Sequence, residues 1–198
     1  MSHALTASAP LGPRAVLADA LPRARAMDAG LVGAGAALVA VLGQVALPLP
    51  FTPVPLTLGT FAVLLVGATL GPLRAALSMT VFLLAGVLGA PVFAGATAGW
   101  AFASLGYAVG YLPAAVLLGA IARRGGDRSA GRTVLAACAA TGLVYVVGVP
   151  WLMAYTGLGL GEALVLGVAP FLLGDAVKAT AAALLLPGTW RVLARLQD

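Results

Sequence analysis

Long apolar runs dominate this chain, and the loops that break them are of two alternating kinds. Runs cover residues 29–47, 57–70, 73–89, 104–122 and 133–155. A sixth begins between 163 and 170 and ends at Leu186, before Pro187-Gly188. None shows the period-two alternation over about ten residues that marks a membrane β-barrel strand. Each is long enough, or nearly so, to cross a hydrocarbon core of about 30 Å as a helix. The pattern predicts an all-α integral membrane protein with six transmembrane helices. Residues 29–190 form its membrane domain, with tails at 1–28 and 191–198.

The loops fix the orientation. Arg14, Arg23, Arg25, Arg74, Arg123, Arg124, Arg128, Arg132, Arg191 and Arg195 are ten of the eleven basic residues, and six spans put all ten on one side. The opposite loops, 48–56, 90–103 and 156–162, contain no basic residue, and Glu162 is their only charge. Lysine and arginine collect in cytoplasmic loops, so both termini are expected in the cytoplasm and the apolar loops outside. Pro48, Pro50, Pro53 and Pro55 exclude a regular helix in the first outer loop. Irregular backbone at membrane depth needs shielding by protein or a cavity, so a structured cap is expected there. Residues 89–100 form a second, glycine-rich outer loop, and Gly71-Pro72-Leu73-Arg74 reads as a tight turn.

Composition agrees. Hydrophobic residues make up 62% of the chain and charged residues 9%, against about 25% charged in soluble domains. The net charge of +5 is spread between the apolar runs, so it reads as a topology signal and not a nucleic-acid surface. Cys138 is the single cysteine; it has no internal disulfide partner and reads as a small helix residue. His3, the one histidine, lies in the N-terminal tail. With no histidine in the runs, no H-E-x-x-H and no Walker A sequence, neither a membrane hydrolase nor a P-loop ATPase is supported. Ser78 and Ser104 are isolated, and Gly157-x-Gly159-x-Gly161 lacks the strand that a nucleotide loop follows.

Every charge but two lies outside the runs or at the very end of one, as Arg74 does. Asp175 and Lys178 sit inside the sixth, spaced i, i+3, where they share a helix face and neutralise each other. A lone charge at membrane depth costs at least about 2.5–3.5 kcal/mol, so such residues mark function. The topology puts the pair roughly 8–12 Å below the outer loops. A carboxylate and an ammonium there make a polar floor for a small ligand. Phe93, Trp100, Tyr107, Tyr111, Tyr145, Trp151 and Tyr155 are candidate apolar walls. On helix one, Gly33, Gly35, Ala36, Ala37 and Ala40 form a small-residue stripe that permits close helix contact.

Four stretches together carry a family resemblance: Leu47-Pro48-Leu49-Pro50-Phe51-Thr52-Pro53-Val54-Pro55-Leu56-Thr57-Leu58, then Gly71-Pro72, then Gly89-Ala90-Pro91-Val92-Phe93-Ala94-Gly95, then Pro170-Phe171-Leu172-Leu173-Gly174-Asp175-Ala176-Val177-Lys178. In this order and spacing the chain resembles the BioY family, the biotin-binding S components of energy-coupling-factor transporters, over roughly residues 30–190. The resemblance implies the six-helix S-component fold in a prokaryotic cell membrane. It implies biotin as transported ligand, no cofactor, and partnership with a transmembrane coupling subunit and two ATPase subunits. Asp175 would accept from the ureido N–H groups and Lys178 donate to the ligand's oxygen. Phe93 and Tyr107 would wall the ring beneath Pro55 and Thr57 of the Pro-rich loop, and Gly95 and Gly99 would let backbone approach. Gly33, Ala36, Ala37 and Ala40 are the candidate partner-docking face. A carrier for another small vitamin or organic acid is the alternative. One departure stands out: the family's Gly-Pro turn into helix four is replaced here by Phe102-Ala103-Ser104-Leu105 before Gly106-Tyr107.

Overall fold

In the computed structural model, residues 12, 14–21 and 24–197 are described. His3, Arg23 and half of the expected N-terminal tail lie outside them. Six long apolar helices form: α1 (Arg25–Gln44), α2 (Gly59–Leu70), α3 (Pro72–Val87), α4 (Leu105–Ala122), α5 (Ala130–Thr156) and α7 (Leu172–Gln197). A short α6 (Leu160–Gly167) precedes α7. Four of the six, α1, α4, α5 and α7, are long and apolar enough to span a membrane unaided. With 12 residues, α2 reaches only about 18 Å. The Pro-rich segment completes its path. It is a hairpin whose strands β1 (Ala46–Leu47) and β2 (Leu56–Thr57) pair antiparallel, with Ala46 opposite Thr57. Thr52 pins its tip to α6 by donating to the Leu166 carbonyl at 2.8 Å. The expected structured cap is therefore a pinned β-hairpin.

Close backbone approach organises the bundle around α4, which packs on α2, α3 and α5. A Cβ at Gly110 would lie 2.8 Å from the Val144 Cα of α5. One at Gly119 would lie 2.5 Å from the Pro72 nitrogen, where Gly71 (φ +78°) turns the chain into α3. Glycine here is a packing requirement, as small-residue interfaces between membrane helices commonly are.

Both ends of the chain carry ordered structure beyond the expected membrane domain. The stretch before α1 is not wholly a free tail. Val16 is fully buried, residues Leu17–Ala20 make a 3-10 turn, and Asp19 pairs with Arg74 at 3.1 Å and Arg123 at 3.8 Å. The helix then starts at Arg25, and Asp28 in its first turn also meets Arg74, at 2.7 Å. At the other end α7 does not stop at Leu186. It runs through a buried Pro187 to Gln197, so the boundary expected at 190 falls inside a helix, anchored where Trp190 donates to Asp127 at 2.6 Å.

The small-residue stripe of α1 divides between two faces. Gly35 and Ala36 pack inward, and a Cβ on Gly35 would reach 2.5 Å from Ser78 Oγ of α3. Gly33 and Ala37 face outward, while Ala40 is half-buried. Ala36 is therefore occupied within the bundle and is not free to dock a partner.

Candidate functional site

The first turn of α7 carries Asp175, and Lys178 follows one turn later on the same face. The positive end of a helix dipole favours a carboxylate at that position. Lys178 Nζ donates to Asp175 Oδ1 at 3.1 Å and to Thr60 Oγ1 of α2 at 2.7 Å. The Tyr145 hydroxyl of α5 donates to Asp175 Oδ2. Three helices thus converge on one ion pair. The side chains of Lys178 and Asp175 are 9% and 12% exposed, and both line one cavity at the loop end of the bundle.

Hydrogen-bond capacity is left over at this floor. Each carboxylate oxygen accepts one bond and has room for a second, and the ammonium has spent two of its three protons. Acceptors and a donor therefore point at the same space. Ser104 and Thr141 add further polar atoms to its wall.

The rest of the lining is aromatic and aliphatic. Phe93 packs edge-on against Phe82 with ring centroids 5.3 Å apart and lies against Phe102 at 5.1 Å. Phe82 stacks on Tyr111 at 6.3 Å. Tyr107 donates its hydroxyl to the Gly167 carbonyl at 2.9 Å, which leaves its ring to face the cavity. Its ring is fixed on the far side by Gly148, where a Cβ would come within 2.6 Å. The hairpin contributes Val54, Pro55, Leu56 and Thr57. Thr57 Oγ1 accepts from the Gly59 N–H at 3.1 Å and so also shapes the entry to α2.

Of the residues nominated from sequence, Asp175, Lys178, Phe93, Tyr107, Pro55 and Thr57 all line this one cavity. Gly95 and Gly99 do not. Their φ angles are +67° and +84°, so these glycines turn the loop instead of admitting a ligand to the backbone. Trp100, Trp151 and Tyr155 are not walls either. Trp100 is exposed, while Trp151 and Tyr155 donate to the carbonyls of Phe102 and Ala101 at 3.0 and 3.1 Å. These two bonds tether the segment entering α4, where the sequence departs from the Gly-Pro pattern. Thr60 escaped the sequence reading because a threonine in an apolar run has no local signature; its lysine partner is 118 residues away.

Chemically the site is a receptacle. It offers charge-assisted hydrogen bonds beneath an apolar roof, and Thr60, the lining threonine that meets a charged side chain, accepts from the Lys178 ammonium, which as a paired cation is no base for it. Among the described residues no group of three or more His, Cys, Asp or Glu side chains could hold a metal; Cys138 lies exposed on α5.

A model of the BioY family matches residues 15–195. The chain is 36% identical over 161 residues to the probable biotin transporter BioY of Pyrococcus horikoshii, spanning 81% of this chain and 94% of that protein. It is 36% identical over 169 residues to the biotin transporter BioY of Rhizobium etli, spanning 80% and 90%. Its fold superimposes with a TM-score of 0.75 on the crystal structure of the S-component for biotin from an ECF-type ABC transporter, at 23% identity over 86% of this chain and 95% of that one. The architecture of six membrane helices is therefore the S-component fold.

Proposed function

The chain belongs to the BioY family, and from that premise we propose that it captures biotin outside a cell membrane and delivers it to the cytoplasm as the substrate-binding subunit of an energy-coupling-factor transporter. It is a multi-pass membrane transport protein and not an enzyme. The observation that carries the ligand assignment is the Asp175–Lys178 pair beneath the aromatic cavity.

Biotin's ureido ring has two N–H donors and one carbonyl acceptor; its thiophane ring is apolar. The unused lone pairs of Asp175 accept from the ureido N–H groups, and the unspent proton of Lys178 goes to a ligand oxygen. Phe93, Tyr107, Pro55 and Thr57 enclose the rings. Such a site rejects analogues that lack one ureido group, because its own buried partner is then left unsatisfied.

The ten arginines support a cytoplasmic placement of the end bearing Arg74, Arg123 and Arg191, so the cavity opens outside. With no Walker A sequence, the chain draws its energy from a transmembrane coupling subunit and two ATPase subunits. The outward-facing Gly33 and Ala37 of α1 supply a smooth surface for the first of these.

Calorimetric titration of the purified protein with biotin tests the ligand. One-to-one binding that Lys178→Ala loses is the expected result. Well-folded wild-type protein that gives no binding heat overturns the assignment.

A further inference from the structure

The loop between α3 and α4 brings Phe93 into the cavity but has little regular structure of its own: one 3-10 turn (Ala94–Ala96) and a single bridge between Phe93 and Thr97. A side chain from α1 ties it down. Gln44, the last residue of α1, donates from Nε2 to the Phe93 carbonyl at 2.9 Å and the Val92 carbonyl at 3.2 Å. Its Oε1 accepts from the Ala96 N–H at 2.9 Å. The amide orientation is forced, because two carbonyls need a donor and one N–H needs an acceptor.

The bond to Ala96 falls at a strained place. Among the described residues Ala96 is the one non-glycine with positive φ (+56°), directly after Gly95 at +67°. Left-handed backbone is unfavourable for a residue with a Cβ and persists where its surroundings hold it. Phe93 in turn seats its ring on Gly86 of α3, where a Cβ would lie 2.2 Å away. Gln44 itself is exposed and does not line the cavity. Apart from the Ala40 carbonyl one turn back at 3.4 Å, its side-chain bonds go to the backbone of the segment that carries Phe93.

We propose that Gln44 is a positioning residue of the ligand site: it clamps residues 92–96 to the end of α1, keeps Phe93 closed over the cavity, and so sets how long the ligand stays bound. A shift of the end of α1 against α3 therefore also moves Phe93. The loop clamp stands on geometry alone; the identity of the ligand rests on the biotin reading.

Two variants separate the bonds from the shape. Gln44→Glu keeps the outline and the acceptor but has no donor; Gln44→Leu keeps the bulk and neither. The first readout is release of radiolabelled biotin from purified protein. Losing two or three exposed hydrogen bonds predicts release faster by about tenfold in both variants, with association changed far less. The second readout needs no ligand. In a Cys138→Ala background, Ala94→Cys places a thiol on the loop at the cavity wall, and its reaction with a water-soluble maleimide should speed up in both variants. Melting temperature should stay close to wild type, since position 44 is exposed. Gln44→Asn, one methylene too short to reach, replaces either variant should it fail to fold. Faster labelling in a protein that does not bind biotin supports the clamp and overturns the ligand. Normal binding with release and labelling both unchanged overturns the clamp. So does faster labelling with unchanged release, because closure then does not govern residence.

Discussion

Buried charge occurs at both ends of this helix bundle, and the two ends use it differently. Asp175 and Trp190 mark them on α7, about 22 Å apart along the axis. At the loop end, Asp175 and Lys178 face a cavity with donors and acceptors still unspent. At the arginine end, Asp19, Asp28, Arg74 and Arg123 bind one another across the chain's first turn, α1, α3 and α4. Their groups are consumed in fastening the stretch before α1 to the bundle. Burial of charge is thus not itself the mark of a ligand site. The mark is burial plus unspent hydrogen-bonding capacity aimed at space.

The comparison breaks most readily at Asp175. Asp175→Asn leaves Lys178 buried without its counter-charge and should weaken biotin binding by about 2–5 kcal/mol. It should also lower the melting temperature, which alone would not distinguish a recogniser from a staple. The double variant Asp175→Asn with Lys178→Met does. Removing both charges should restore thermal stability while binding stays lost. Recovery of binding in the double variant would show that the pair is structural.

Arg74 supplies the opposite case. It donates to Asp28 at 2.8 Å and to Asp19 at 3.1 Å, and the Asp19 side chain is only 9% exposed. Arg74→Ala should cost about 1.5–3 kcal/mol of stability, the range for hydrogen bonds to charged groups. Asp28 is half exposed, so most of that comes through Asp19. Biotin affinity should remain within a factor of about two, since no residue of this cluster lines the cavity. A tenfold loss of affinity, read by the same calorimetry, would mean that the two ends are coupled and the division of labour fails.

These regions were not equally legible in the sequence. Asp175 and Lys178 announced themselves because charge inside an apolar run is costly, and the arginines announced the topology for a related reason. The cluster at Asp19 did not, since an aspartate in an Ala/Pro-rich stretch looks solvated until the fold brings Arg74 and Arg123 to it. Thr60 and Gln44 were silent for the same reason: their roles reside in partners far along the chain. Gly95 and Gly99 were misread because a glycine needed for positive φ and one needed for close approach of a ligand are the same letter. Helix ends failed where tertiary contacts overrode local signals. Pairing with Leu56–Thr57 draws residues 46–47 out of α1, and Trp190 carries α7 past a proline that would ordinarily stop it.

Asp127 yields the smallest effect and the finest test of the comparison, because it is the arginine-end carboxylate that resembles Asp175 most. It is 3% exposed, and Oδ1 is, among the described residues, the buried side-chain polar atom without a hydrogen-bond partner. Its Oδ2 accepts from Trp190, whose ring Arg128 covers at 4.5 Å. Burial pushes its pKa above the ordinary carboxylate range, against the opposing pull of the Trp190 bond and the Arg128 charge. A folded-state pKa above the unfolded one means that the fold favours the protonated form. The stability tied to that proton is complete below the unfolded pKa of about 3.9 and is lost as pH rises through the folded value. Asp127→Asn keeps the acceptor for Trp190 and cannot ionise. Its melting temperature should match wild type in acid and exceed it progressively toward neutral pH, with biotin affinity unaffected. A variant less stable than wild type at neutral pH would mean that the Asp127 carboxylate is held charged by Arg128. The arginine end would then hold a buried charge outside the Asp19 cluster, and its carboxylates would not all be consumed in fastening the chain.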